Sequence, residues 1–190
     1  MAVVKLPCRA YHGTTLERAE RILADGAQGN DRDWEWLGWG FYLFQDAPYH
    51  AAEWAEFKSS GGKGLPAIIA ATVNLDNCFD LIDIDVWEYA REFFNQFGSG
   101  LFGAGLVQDP IIIDNGEVTS SGYHYMDCRF MNALVTFLRE DKKETLWSVR
   151  AAFLEGRAIF PESHLYDKAH VQIAALEPNL ILADCSIMAV

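Results

Sequence analysis

Tyr11-His12-Gly13-Thr14-Thr15 and, about thirty residues later, Gly38-Trp39-Gly40-Phe41-Tyr42-Leu43 are the two stretches that decide how this chain is interpreted. The first places a His-Gly pair at the end of a short apolar run, and the second places glycines and aromatic rings at the start of another. Glycines and rings with a polar tip are poorly suited to a hydrophobic core. At such junctions, however, a glycine backbone and an aromatic ring can approach a flat ligand closely. The two stretches together predict a ligand site.

The composition is that of a globular protein with an acidic surface. The chain has 190 residues, of which 51% are hydrophobic and 22% charged, so we expect one domain over residues 1–190 with a sizeable core. Lys and Arg number 15 and Asp and Glu number 27, which gives a formal net charge of −12. Such a surface repels nucleic-acid phosphates at long range unless a local basic face exists, and it favours a basic partner.

Cysteine and histidine usage indicates neither a disulfide framework nor a metal centre. Cys8, Cys78, Cys128 and Cys185 lack a zinc-like spacing, and the five histidines lack a metal-binding spacing. We therefore expect no metal, and thiols in a reducing compartment. With no signal-peptide pattern at the start and no apolar run of about 18 residues, the sequence predicts a cytoplasmic protein without a membrane partner.

Hydrophobic periodicity predicts alternating short strands and helices, which defines an α/β (α+β) fold. The predicted strands cover 9–12, 40–44, 67–75, 171–176 and 180–183, and 146–153 is predicted as a strand or the start of a turn. The predicted helices run from Thr14-Thr15 to Gly26, and over 47–57, 85–97 and 126–140. The predicted loops cover 28–39, 59–64, 154–168 and the glycine-rich 98–105. That last loop could contact phosphate, but it lacks the Lys-Ser/Thr ending of a P-loop.

The order of His12, Tyr42 and the strand His170-Val171-Gln172-Ile173-Ala174 resembles the ADP-ribosyltransferase superfamily. The similar branch is the His-Tyr-Glu branch of diphtheria toxin and the poly(ADP-ribose) polymerases, and the resemblance covers residues 9–57 and 155–183. It implies a split, mostly antiparallel sheet flanked by helices around an NAD cleft. It also implies NAD as co-substrate and no metal.

The resemblance assigns individual roles. In relatives, the His of the first motif bonds a ribose hydroxyl, and the backbone of the next Gly holds the nicotinamide carboxamide. The Tyr of the second motif stacks on nicotinamide, often with a second Tyr from the following helix. Arg9 is expected at the NAD pyrophosphate, with a plain surface arginine as the alternative. The candidate cofactor-binding residues are therefore Arg9, His12, Gly13, Thr14, Tyr42 and Tyr49.

Gln172 departs from the family pattern, because strongly catalytic relatives carry Glu there. Gln bonds a ribose hydroxyl but neither stabilises a cation by charge nor accepts a proton. The exchange is worth about 1–2 kcal/mol of transition-state stabilisation, which is about ten- to thirtyfold in rate. The candidate catalytic residues are His12, Tyr42 and Gln172. Glu155 and Glu162, in the loop before the strand, are carboxylates that could compensate.

The resemblance implies an NAD-dependent mono-ADP-ribosyltransferase that modifies a protein or nucleic-acid acceptor, in the setting of a bacterial toxin or effector whose partner could be an antitoxin. NAD loses nicotinamide through an oxocarbenium-like transition state, which requires a tight grip on the ring and ribose. Two alternatives remain open. One is an NAD glycohydrolase with water as acceptor, and the other is a non-catalytic module that binds NAD or ADP-ribose.

Overall fold

The computed structural model describes residues 5–84, 86–101, 111–114, 117–120 and 124–190. The strands of these residues are β1 (Cys8–Thr15), β2 (Phe41–Gln45), β3 (Pro66–Val73), β4 (Cys78–Asp80), β5 (Ile111–Asp114), β6 (Glu117–Ser120), β7 (Ser148–Phe153), β8 (His170–Ala175) and β9 (Leu182–Ala189). The helices are α1 (Leu16–Asp25), α2 (Pro48–Ser59), α3 (Val86–Leu101), α4 (Tyr125–Glu140) and α5 (Pro178–Ile181). None of the described helices is long and apolar enough to cross a membrane.

Seven strands form one sheet in the order β4-β7-β8-β2-β1-β3-β9. All neighbouring strands in it are antiparallel except β4 and β7, which are parallel. Strands β5 and β6 form a separate antiparallel pair. The prediction of a mixed α/β protein with a mostly antiparallel sheet is confirmed.

Apolar side chains alternate between the two faces of the sheet and build a core on each, as successive strand residues point in opposite directions. On one face, Val149 and Ala174 pack against Phe93 of α3 and Leu134 of α4. On the other face, Leu43 and Ile173 pack with Ile181 of α5, and a smaller cluster joins α1 to β3. Because both faces are covered, the central strands are held firmly enough to position polar groups between them.

Pairing between β1 and β2 is short, and this shapes the centre of the sheet. The two strands pair at Ala10↔Gln45 and Tyr11↔Phe44, and at no further position among the described residues. In contrast, β1 pairs with β3 along its whole length. The later part of β1 therefore has a partner strand on one side only, and β2 turns away from it.

Several predicted elements need correction. The closing strand predicted over 180–183 is wrong, because Leu180 belongs to α5 and β9 starts later and runs to Ala189. This edge strand is mostly exposed, so it lacks the apolar run that marks a buried strand. The loop predicted from residue 98 is wrong at its start, since Gly98 and Gly100 lie in α3. The helix continues there because Phe93 and Phe97 still pack on the core, and residues 102–105 lie outside the described part. Strand β4 and the β5–β6 pair are too short to show a periodicity.

Candidate functional site

A cleft of about 670 Å³ lies where β1 and β2 separate. This volume is within the range of about 300–1,000 Å³ that is typical of small-molecule and cofactor sites. Its walls come from β1, β2 and β8, from α1 and α2, and from the segment 28–36. The sequence-predicted residues that it brings together are His12, Thr14, Tyr42, Gln172 and Glu155.

His12 is held in one orientation and one protonation state. Its ring stacks on Phe41 at a centroid distance of 4.3 Å, and its Nδ1 lies 2.7 Å from the backbone oxygen of Tyr42. Because a carbonyl only accepts, Nδ1 carries the hydrogen and donates, which leaves Nε2 as an acceptor. Burial, and secondly the charge of Lys58, lower the pKa of His12 to about 3, although the bond to Tyr42 opposes this. His12 is therefore neutral at physiological pH.

Tyr42 is fixed by its hydroxyl and by its ring. The hydroxyl accepts a hydrogen bond from the backbone N–H of Leu37 at 2.9 Å and donates to the backbone oxygen of Gly38 at 2.7 Å. Its ring packs against the core beneath the cleft. Burial and the nearby Glu35 carboxylate raise the pKa of Tyr42 well above its usual range, so the phenol stays protonated. Tyr42 thus couples the cleft wall to the segment before β2.

Gln172 is oriented by a neighbour on its own strand. Nδ1 of His170 lies 2.8 Å from the backbone oxygen of Lys168 and therefore donates to it. The Nε2 atom of His170 is then an acceptor, so the atom of Gln172 that lies 2.8 Å from it is the amide nitrogen, acting as donor. Burial lowers the pKa of His170, which keeps it neutral. The amide oxygen remains the acceptor that Gln172 can offer to a ligand.

The other candidates lie outside the cleft. Gly13 is buried against α2, where a Cβ atom would lie 2.1 Å from the backbone oxygen of Ala51, so packing alone accounts for the glycine. Tyr49 is 85% exposed and is not part of the cleft wall. Arg9 donates to the hydroxyl of Thr72 at 3.1 Å, towards β3 and β9. Glu162 is exposed. Of the two loop carboxylates, only Glu155 lines the cleft.

Six charged residues that sequence reasoning missed line the cleft as well: Arg18, Arg32, Glu35, Glu53, Lys58 and Lys168. Burial, then the positive charges of Arg32 and Arg18, lower the pKa of Lys58 to about 8, which indicates that the cations lie close together. A weak sequence signal exists for Lys58, since it follows Trp54 by four residues and so shares its helix face. The Nζ of Lys58 lies 5.5 Å from the centroid of the Trp54 ring. Nothing in the local sequence marks Arg18 or Arg32.

The segment between α1 and β2 is irregular, yet its backbone is tied down at several points. Asn30 pairs with Gly40 through backbone bonds of 2.9 and 3.1 Å, and its side-chain amide donates to the Gly40 oxygen. The Cys128 thiol donates to the Arg32 oxygen at 3.3 Å. The backbone N–H of Trp39 donates to the side-chain oxygen of Asn132 at 2.8 Å. The side chains that this segment presents to the cleft are therefore preorganised.

The opposite end of the cleft contains a mixed charged and imidazole cluster. Lys168 pairs with Glu53 of α2 at 2.8 Å, and the rings of His50 and His170 lie 4.9 Å apart. The Glu155 charge acts to raise the pKa of His170, although burial outweighs it. Among the described residues, no group of three or more His, Cys, Asp or Glu side chains could hold a metal ion.

Comparison of the chain with models of known protein families gives no match, and comparison with curated proteins gives none either.

Proposed function

We propose that the cleft binds NAD and that the protein is an ADP-ribosyltransferase. The observation that carries this proposal is that His12, Tyr42 and Gln172, which are far apart in the sequence, line one cleft. The short β1–β2 pairing supports it further, because a sheet that opens between its central strands leaves room for a long, flat ligand. An NAD cleft of the ADP-ribosyltransferase kind would lie at this opening.

The chemistry of the walls suits a dinucleotide. Neutral His12 presents Nε2 as an acceptor for a ribose hydroxyl. Aromatic side chains, including Trp34, Trp36 and Trp54, line the cleft and suit flat bases and a cationic pyridinium. In this proposal the Tyr42 ring packs on the nicotinamide, while its hydroxyl stays engaged with Leu37 and Gly38.

For the reaction itself, the glycosidic bond to nicotinamide breaks, its electron pair leaves with the ring nitrogen, and the ribose carbon becomes cationic. The Gln172 amide oxygen binds a hydroxyl of that ribose. Gln172 carries no charge, so we assign the stabilising negative charge to Glu155, which lines the same end of the cleft. An acceptor nucleophile then bonds to the ribose carbon and gives up its proton to the Glu155 carboxylate.

We propose a macromolecular acceptor, as in a toxin or effector. The loop that carries Glu155 leaves Leu154, Ile159, Phe160 and Leu165 exposed, each by more than half of its surface. Adjacent exposed apolar residues at the edge of a site are typical of a protein-binding surface. The acceptor is tested by incubating lysate with labelled NAD, before and after protease or nuclease treatment. Label lost only after protease identifies a protein.

The experiment that tests the proposal compares the wild type with His12→Ala and with Arg21→Gln. Arg21 lies on α1 and pairs with Glu17, and its side chain is not part of the cleft wall. Labelled macromolecule together with released nicotinamide, both abolished by His12→Ala and unaffected by Arg21→Gln, supports the proposal. Absence of NAD binding in the wild type contradicts it.

One observation favours a second function, a module that binds NAD or ADP-ribose without turnover. Gln172 and His170 are a neutral, mutually bonded pair at the position where a charged base is expected. Saturable binding of both compounds, with no nicotinamide released, would indicate this function. Nicotinamide release without labelled macromolecule would indicate NAD hydrolysis.

A further inference from the structure

The cationic wall of the cleft, defined as Arg18, Arg32 and Lys58, is positively charged, whereas the protein as a whole is negatively charged. The chain as a whole carries a formal charge of −12, yet these three cations line the cleft together with Lys168 and with three carboxylates, Glu35, Glu53 and Glu155. Because Lys168 pairs with Glu53, the three cations of the wall outnumber the two remaining carboxylates. Charges of one sign in a cleft with low-dielectric walls concentrate the field inside it. The local charge therefore favours an anionic ligand that the outer surface would repel.

Two of these cations lack an acidic partner. Among the described residues, no carboxylate lies within ion-pairing distance of Arg18 or Lys58. Most other ion pairs in this part of the chain are short, for example 2.8 Å between Lys168 and Glu53. Lys58 is also partly buried, and the proximity of Arg32 and Arg18 helps to lower its pKa to about 8. Like charges held close together repel each other, and an anionic ligand that binds between them relieves this repulsion.

Glu35 lines the cleft beside these cations. Its carboxylate is 21% exposed and lies 3.7 Å from the guanidinium of Arg32, a long and weak contact. Burial raises the pKa of Glu35 even though Arg32 and Lys58 oppose the shift. The backbone on either side is fixed, because Cys128 bonds the Arg32 oxygen and Tyr42 bonds the Leu37 N–H. Glu35 is thus held beside the cations without a close bond to them.

We infer that Arg18, Arg32 and Lys58 form the subsite for the diphosphate of the ligand, and that Glu35 competes with the diphosphate for these cations in the free protein. The inference rests on the proposed function for the dinucleotide nature of the ligand. A diphosphate diester carries two negative charges and several acceptor oxygens, which matches guanidinium and ammonium donors. The cationic wall lies near His12, since Lys58 and Arg18 both lower the pKa of His12, so one ligand can contact both.

The test measures dissociation constants by calorimetry for ADP-ribose, adenosine monophosphate and inorganic pyrophosphate. Lys58→Gln and Arg18→Gln are compared with Arg21→Gln, which removes an α1 cation outside the cleft wall. We expect each cleft variant to weaken ADP-ribose and pyrophosphate binding by about ten- to a hundredfold and Arg21→Gln to change it less than twofold. The effect on adenosine monophosphate should be smaller, because it has one phosphate.

Glu35→Gln provides the sharper result. Removing the competing charge should tighten ADP-ribose and pyrophosphate binding by about three- to tenfold. The affinity for an uncharged analogue of nicotinamide riboside, which has no phosphate, should stay the same. Weaker ADP-ribose binding by Glu35→Gln would overturn the competition. Cleft variants that behave like Arg21→Gln would overturn the subsite, even if His12→Ala still abolishes NAD binding. Conversely, if the wild type binds pyrophosphate through Lys58 but NAD does not bind, the subsite stands and the proposed function fails. Thermal unfolding of each variant confirms that it is folded.

Discussion

The Nδ1 atom of His12 donates a hydrogen bond of 2.7 Å to the backbone oxygen of Tyr42, at a level where the pairing of their strands has already ended. This single bond takes the place of the missing ladder bonds and holds the two sides of the opening together. It also selects the tautomer that leaves Nε2 as an acceptor. The histidine therefore ties the two strands together and, through Nε2, presents an acceptor in the cleft.

The first prediction concerns the pH dependence of stability. The pKa of His12 is 6.5 in the unfolded chain and about 3 in the folded protein. Between pH 3 and pH 6.5, protons therefore bind His12 of the unfolded chain preferentially. Stability should therefore fall as the pH is lowered from 6.5 towards 3, by up to about 1.4 kcal/mol per pH unit from this group. Urea unfolding of His12→Gln should show a smaller decrease over that window. His164→Gln, at an exposed histidine, is the control and should keep the wild-type slope. Parallel curves for His12→Gln and wild type would contradict a depressed pKa.

The second prediction concerns the hydroxyl of Tyr42, which a ring that only stacks on a ligand would not need. In the structure, loss of the hydroxyl leaves the N–H of Leu37 and the oxygen of Gly38 without their partner. An unsatisfied buried polar group is worth about 1–3 kcal/mol, so Tyr42→Phe should lower the free energy of unfolding by that amount. Tyr49→Phe, at an exposed tyrosine, should change it by less than about 0.5 kcal/mol. Equal stability of both variants would mean that the hydroxyl does not anchor the segment.

The third prediction concerns Gln172. Gln172→Ala should lower turnover of NAD and leave its affinity within a few-fold, because the amide acts mainly as positive charge develops. Gln172→Glu should keep or raise NAD cleavage, and should raise the pKa of His170, whose Nε2 needs a hydrogen to bond a carboxylate. NMR titration of His170 and a nicotinamide-release assay measure the two effects. Gln96→Glu, at an exposed position of α3, is the matched control. If the titration of His170 is unchanged in Gln172→Glu, the two side chains do not bond to each other.

The fourth prediction concerns the contact between β1 and α2. Gly13→Ala would place a methyl group 2.1 Å from the backbone oxygen of Ala51 and 2.8 Å from the nitrogen of Ala55. The helix must shift, so we expect a loss of at least about 2 kcal/mol in the free energy of unfolding. Since α2 carries Trp54 and Lys58, ligand binding should weaken too. Gly100→Ala, which meets no atom within 4 Å, should be neutral or stabilise α3 by about 0.5–1 kcal/mol. Wild-type stability of Gly13→Ala would exclude the close approach.

The parts of the fold that the sequence predicted are those that a local pattern encodes. The helical periodicity of 126–140 and the apolar run of 67–75 correspond to α4 and β3. The exposed edge strand β9 and the three-residue β4 have no such pattern. For the site, His12, Tyr42 and Gln172 could be proposed because each lies in a recognisable motif. Tyr49 and Arg9 were proposed from position alone, and the structure directs their side chains elsewhere.

The sequence by itself determined the class of fold and the apolar buried strands, and it predicted three residues that line one cleft, His12, Tyr42 and Gln172, because periodicity and short motifs are local properties. The tertiary structure alone decided the cationic wall and the orientation of each polar group. Arg18, Arg32 and Lys58 come from different parts of the chain, and their common cleft exists because β1 and β2 stop pairing after Tyr11. The tautomers of His12 and His170, and hence the atoms offered to a ligand, follow from backbone oxygens that folding brings within 3 Å. Hydrogen-bond partners and charge proximity are properties of distance in space, which the order of residues along the chain does not specify.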